Sequence, residues 1–181
     1  MDRQPVLEGE RLLLRPLREA DREVLFAFAG DPLLWEQHPV RERGERPVFD
    51  EWMDELLGHG GALAAIDRAT GQLIATSSYT NLRPEGGGMV EIGATALDRT
   101  YWGGWANRAM KRMMLDHAFA NVSTVEFLIG EHNWRSRRAI EKIGGALTNR
   151  VHVAEFRGRL IPHLIYEITR KAFAGGPLGR S

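Results

Sequence analysis

Two segments of the chain hold residue types whose spacing could do chemistry. The first is Thr100-Tyr101-Trp102-Gly103-Gly104-Trp105-Ala106-Asn107, between an alternating apolar run and a helical pattern. The opening turn of a helix has unpaired N–H groups and a partial positive charge. Glycines there let another group approach the backbone. Such a turn binds phosphate or pyrophosphate, although Gly103-Gly104 can equally serve as no more than a tight turn. Downstream, Arg108, Lys111 and Arg112 fall at i, i+3 and i+4 on one helix face. They read as partners of a terminal phosphate or as a solvated face.

The second segment runs from Glu131 to Gly145. Asn133 fits a helix N-cap. Arg135, Arg137 and Arg138 follow in the first turn, the wrong end for cations, where each exposed charge costs about 0.3–1 kcal/mol. An anionic ligand would offset them, and so would local pairing of Arg137 with Glu141 at i, i+4.

A third candidate is single. In Met89–Leu97, alternation places Val90, Ile92, Ala94 and Ala96 on one strand face and Glu91, Gly93 and Thr95 on the other. A mid-strand carboxylate can have its pKa raised and act as a general base, directly or through water. A structural ion pair or an exposed position is the alternative. Backbone N–H groups near Ile92 to Ala94 are candidates for holding an oxyanion. The long connection from Leu33 to Pro47 carries Trp35, Gln37 and His38, candidates for a substrate pocket; a packed connection with Trp35 in the core competes with that reading. Asp50, Glu51, Asp54 and Glu55 make an acidic helix face that reads mainly as solvated surface.

These groups need a scaffold, and 181 residues suffice for one domain with a sizeable core. The apolar fraction of 43% and charged fraction of 27% exclude a wholly disordered chain. Lys+Arg and Asp+Glu are both 24, so no basic excess favours nucleic acid as a partner. The absence of cysteine excludes disulfides, thiolate metal sites and a cysteine nucleophile. It fits a reducing compartment, and the cytoplasm is the expected location. The scattered histidines offer no metal pairing; His117 and His132 read as structural or exposed, and no metal is expected. No apolar run approaches the roughly 20 residues of a membrane span.

Hydrophobic periodicity predicts the element order β, two helices, three strands, helix, strand, helix, two strands. Phe49, Trp52, Met53, Leu56 and Leu57 mark the clearest amphipathic helix. One mixed α/β domain over residues 1–174 follows, with 175–181 as a frayed, flexible tail.

Together the two segments resemble the GNAT superfamily of acyl-CoA-dependent N-acyltransferases, in the branch that holds ribosomal-protein N-acetyltransferases. The likeness rests on Trp102-Gly103-Gly104 with its helix, and on Asn133-Trp134-Arg135-Ser136 followed by Ala139-Ile140-Glu141-Lys142-Ile143-Gly144. It implies a mixed, mostly antiparallel seven-stranded sheet with about four helices. It also implies that the strands Met89–Leu97 and Thr124–Gly130 splay to admit the pantetheine arm of acetyl-CoA beside Ile92. The pyrophosphate would lie on the amides of Tyr101, Trp102, Gly103, Gly104, Trp105, Ala106 and Asn107, with Asn133 near the pantetheine or the reacting thioester and Arg138 near the nucleotide. The implied reaction is acetyl transfer to an amine acceptor, a small molecule or a protein N-terminus, with a homodimer as a common assembly. Two positions depart from the family pattern. Thr100, Gly103 and Trp105 stand where Gln/Arg-x-x-Gly-x-Gly/Ala is usual, and Ile140 stands where many relatives carry an acidic Tyr. In the resembled branch a Ser takes over as acid, which points to Ser136. A CoA-binding module without turnover is the rival reading. An ATP-binding protein is disfavoured because both nucleotide-loop fingerprints are missing.

Overall fold

Short β-branched and alanine-rich runs between turns pair into a single sheet. The computed structural model of the chain describes residues 1–179. Its strands are β1 (Leu7–Glu8), β2 (Leu12–Pro16), β3 (Ala62–Asp67), β4 (Leu73–Arg83), β5 (Met89–Leu97), β6 (Thr124–Gly130), β7 (Ala146–Phe156) and β8 (Arg159–Thr169). The spatial order is β1-β2-β3-β4-β5-β6-β8-β7. Only β5 and β6 run parallel; every other neighbouring pair is antiparallel. Helices α1 (Arg22–Ala29), α2 (Arg46–Gly58), α3 (Ala106–Phe119), α4 (Trp134–Lys142) and α5 (Arg170–Gly175) cover the two faces. The expected mixed α/β architecture holds. The sheet gains one strand because the two-residue β1 is too short to announce itself, and α5 is a fifth helix where the sequence suggested about four.

The core divides by face. On one side α3, α4 and α5 bury Met110, Met114, Ile140 and Phe173 against Leu63, Ile74, Ile92 and Phe127. On the other, α1 and α2 bury Leu25, Phe49, Trp52 and Met53 against Ala62, Ala64 and Ala96. Small alanines let the aromatic faces of α2 approach the sheet. Each such large side chain contributes about 1.5–3 kcal/mol on burial. The acidic face of α2 is not simply solvated: Asp50 and Asp54 pair with Arg22, and Glu51 pairs with Arg157.

Two local expectations are corrected. Strict alternation along β5 fails at Ala94, whose φ is +48°. Thr76 faces Ala96 and Ser78 faces Gly93, so β5 carries one extra residue there, a β-bulge. Val90 and Ile92 join the α3 side, whereas Ala94 and Ala96 join the α1/α2 side and the Thr95 hydroxyl meets Lys111 of α3. The carboxy-terminal segment also differs from a frayed tail as far as residue 179. Leu178 is 1% exposed in the α3/α4 core, and Arg108 donates to the Pro177 carbonyl. Residues 180 and 181, the rest of that expected tail, lie outside the described residues.

Candidate active site

The opening begins where a strand pair ends. Hydrogen-bonded register between β5 and β6 covers Met89–Glu91 against Thr124–Glu126 and goes no further. The bulge at Ala94 bends β5 and re-aims its residues. Past Glu91, the side of β5 facing β6 is therefore free of ladder bonds, beside buried Ile92.

Glu91 stands at this fork. Its Oε1 lies over the backbone of Gly93; a Cβ added to Gly93 would meet that oxygen at 3.0 Å. Asn81 Nδ2 donates to the other carboxylate oxygen at 2.6 Å. Burial pushes the Glu91 carboxyl above the usual carboxylate range, against the pull of that hydrogen bond. In register beside it are Glu126 on β6 and then Glu167 on β8. Glu126 is buried and held by Arg150 at 2.7 Å and Arg83 at 3.3 Å, and Arg150 also reaches Glu167 at 2.9 Å. Glu91 alone of the three carboxylates is joined to no arginine.

The glycine turn before α3 has the geometry of an anion cradle. Gly103, at φ +71°, faces open space, and Gly104 is exposed. The amides of Gly103, Trp105, Ala106 and Asn107 have no acceptor among the described residues. The amides of Tyr101, Trp102 and Gly104, expected in the cradle, are tied down instead, donating to the carbonyls of Asp98, Arg99 and Tyr101; the Tyr101 hydroxyl also bonds Asp67 at 3.0 Å, and the Trp102 indole bonds the Leu97 carbonyl at 3.1 Å. Guanidinium groups surround the turn, with Arg11 over Trp105 at 3.8 Å and Arg135 over Trp102 at 3.9 Å.

The first turn of α4 resolves the puzzle of its arginines. Arg135 donates to the Leu34 carbonyl at 2.9 Å and stacks on Trp102. Arg137 bonds the Tyr166 hydroxyl and the Glu131 carbonyl, each at 2.9 Å. The expected Arg137–Glu141 pair is bridged through Tyr166, whose hydroxyl donates to Glu141. Carbonyls and aromatic faces thus offset two of the three charges. Arg138 is exposed with no partner among the described residues. Asn133 is the N-cap: its Oδ1 accepts from Ser136 N at 3.3 Å. The Ser136 hydroxyl has no partner among the described residues.

The connection between α1 and α2 closes the far end. Trp35 is turned into the core, with its indole N–H on the Ala29 carbonyl and its ring edge-on to Trp52, so it braces the connection rather than lining a surface. Gln37 accepts from Arg135 N at 2.9 Å. His38 Nδ1 donates to the Val40 carbonyl at 3.2 Å, which leaves Nε2 to accept from Arg43, and burial and neighbouring Arg43 pull its pKa down to about 3, so it is neutral. Next to it, Pro39 packs on Gly130, where a Cβ would come within 2.6 Å of Cγ.

Sequence reasoning misread Lys111, which it placed on a basic helix face with Arg108 and Arg112. It is neither a phosphate ligand nor surface. It is 3% exposed, and its ammonium donates to Ser77 at 2.9 Å and Thr95 at 2.8 Å, directly under the bulge. Burial pulls its pKa down to about 7. It missed Arg43 and Asn81 outright. Gly93 did carry a signal, since a strand-interior glycine marks a close approach, here that of the Glu91 carboxylate.

A splayed parallel pair beside an unpaired helix N-terminus belongs to a known family. The profile of the acetyltransferase (GNAT) domain matches residues 11–146. The chain belongs to the GNAT acetyltransferase family. No curated protein matches it in sequence. Solved GNAT structures share its fold at low identity. One is a GCN5-related N-acetyltransferase from Brucella melitensis, 19% identical, with 97% of this chain and 82% of that chain covered and a TM-score of 0.81. Another is a GNAT-family acetyltransferase from Bacillus anthracis, 16% identical, covering 92% and 99%, with a TM-score of 0.71. A third is Mycobacterium smegmatis RimJ, solved in complex with CoA-disulfide, 20% identical, covering 88% and 82%, with a TM-score of 0.64. Ile140, at the position where the resemblance leads one to expect a Tyr, is buried in the core.

Proposed function

We propose that the protein moves an acetyl group from acetyl-CoA to a primary amine by direct transfer in a ternary complex. The observation that carries this reading is the fork after Glu91, with a carboxylate poised over Gly93 and unpaired α3 amides nearby. The amides of Gly103, Trp105, Ala106 and Asn107 receive the pyrophosphate, helped by the helix dipole. Arg138 meets the nucleotide end, and Asn133 lies by the thioester. Glu91 takes a proton from the acceptor ammonium. The amine nitrogen then bonds the carbonyl carbon while main-chain N–H groups near Ile92 to Ala94 hold the oxyanion. As the C–S bond breaks, Ser136 passes its hydroxyl proton to the thiolate and recovers the surplus proton of the new amide nitrogen through water, while Glu91 returns its own proton to water.

Gln37 and His38 border the acceptor side. The acceptor is an amine, not a nucleic acid, and the enzyme works in the cytoplasm, consistent with its cysteine-free composition. The exposed apolar side chains of Leu147, Val151 and Val153 on edge strand β7 support a homodimer.

Incubation with acetyl-CoA and an amine panel, reading free thiol, tests the reaction. Calorimetry tests CoA binding. Gly104→Val puts bulk at the cradle and should weaken CoA binding on the order of ten-fold; unchanged affinity would remove the cradle. Tight CoA binding with no thiol release from any amine would leave a non-catalytic CoA-binding module.

A further inference from the structure

One buried charge has no counterpart in the scheme above. Arg43 lies in the short 3-10 turn Arg41–Gly44 before α2. Its guanidinium sits near the faces of Trp35 and Trp52, 5.4 and 5.1 Å from their ring centres. One nitrogen, Nη1, meets His38 Nε2 at 3.2 Å. Nε is enclosed with no hydrogen-bond partner. Nη2 bonds nothing within the described residues and is not enclosed. No ion pair reaches Arg43 among the described residues. Glu42 is committed to Arg159 and Glu51 to Arg157, and Glu55 acts on Arg43 only from beyond ion-pair distance. Burying an unpaired cation is costly, and two aromatic faces return only part, about 0.5–2 kcal/mol each.

The position is informative. His38 adjoins Pro39, which packs on Gly130, and Gly130 is in register with His163. His163 feels the charge of Arg43 and lies 6.4 Å, ring to ring, from His152, which in turn acts on Glu91. A row of polar groups thus leads from the fork to Arg43. Leu128 to Gly130 along β6 is roughly 7 Å and Glu126 to Gly130 roughly 13 Å.

We propose that Arg43 is the receptor for a carboxylate carried by the acceptor amine, so that the acceptor is a short peptide or similarly long aminocarboxylate. This rests on the acetyltransferase reading. Nη2, with the one Nη1 N–H that His38 leaves unused, forms the planar fork that a carboxylate fits bidentately. A free α-amino acid is too short to span fork and guanidinium; a di- or tripeptide reaches at about 3.3–3.6 Å per residue.

The test compares triglycine with triglycine amide as acceptors, reading free thiol, for wild type, Arg43→Met and Arg43→Lys. Wild type should prefer the free acid by roughly ten-fold or more in kcat/KM. Arg43→Met should bring the ratio near one with CoA affinity unchanged and Tm not lowered, and Arg43→Lys should keep part of the preference. Equal use of acid and amide by wild type overturns the proposal while the acetyltransferase reading stands. So does a preference that survives in Arg43→Met, or a lowered Tm with the preference intact, since either marks a purely structural bolt. If no amine releases thiol, the reaction reading fails. Calorimetry of N-acetyltriglycine against its amide, with CoA present, then decides Arg43 alone: stronger binding of the acid, lost in Arg43→Met, supports it, and equal or absent heats overturn it.

Discussion

Glu91 shows how one carboxylate is set apart from its neighbours. Glu126 and Glu167 share its row across the sheet, but both are neutralised by Arg150. Glu91 has the Asn81 amide and no arginine among the described residues, and burial raises its pKa. A folded-state pKa above the unfolded one gives stability that is present below the ordinary carboxyl range and lost as pH rises through the folded value. Ionised Glu91 is therefore a cost at neutral pH. Glu91→Gln should cut kcat on the order of 100-fold, leave CoA affinity within about two-fold, and hold or raise Tm at pH 8. In wild type the ascending limb of the kcat–pH profile should lie above the ordinary carboxylate range and vanish in the variant. Wild-type turnover in Glu91→Gln across the pH series would show that another group takes the proton.

At the scale of elements, the connection between α1 and α2 is fastened to the rest at three points. Gln37 and Leu34 engage Arg135 of α4, and Pro39 rests on Gly130 of β6. Gly130 has no freedom to carry a side chain while Pro39 stays in place. Gly130→Ala should push the connection outward, at about 1–3 kcal/mol of stability as in other overpacked sites. The KM for the amine should rise while CoA affinity holds, because α3 and its glycine turn lie on other elements. A rise in the Kd for CoA equal to that in the amine KM would show that the two sites share this support. The β7–β8 hairpin latches to the same region by Arg157–Glu51 and Arg159–Glu42. These exposed pairs are worth about 0–1 kcal/mol each and weaken with salt.

For the molecule as a whole, legibility in the sequence follows the range of the interactions. Met89–Leu97, Thr124–Gly130 and the two Gly- and Asn-led helix starts were readable because local pattern alone sets them. The bulge was not. Ala94 adopts a positive φ without the glycine or asparagine that usually marks one, so alternation was carried one turn of pleat too far. Lys111 looked like part of a basic stripe. Its burial depends on Ser77 and Thr95, 34 and 16 residues away, which no helical periodicity can report. Leu178 was lost among glycines and a proline, whose composition suggests fraying, although one leucine fills a slot in the core. Of the site, Glu91, Asn133 and the glycine turn were visible as types in a pattern. Arg43 was one arginine among many and became conspicuous only through missing neighbours.

The lysine beneath the strand kink has a thermal consequence. Its amine holds a proton less firmly when folded, with a pKa of about 7 against 10.5 for the free side chain. Between those values the unfolded chain binds more protons, so stability climbs with pH there and flattens below. Melting curves in progressively alkaline buffers should drift upward from neutrality, and the slope should shrink in Lys111→Met. That variant should still fold, because the two hydroxyls already bond each other at 2.8 Å. A catalyst of this build tolerates heat better in mild base than in weak acid, and a flat melting series for wild type would contradict it.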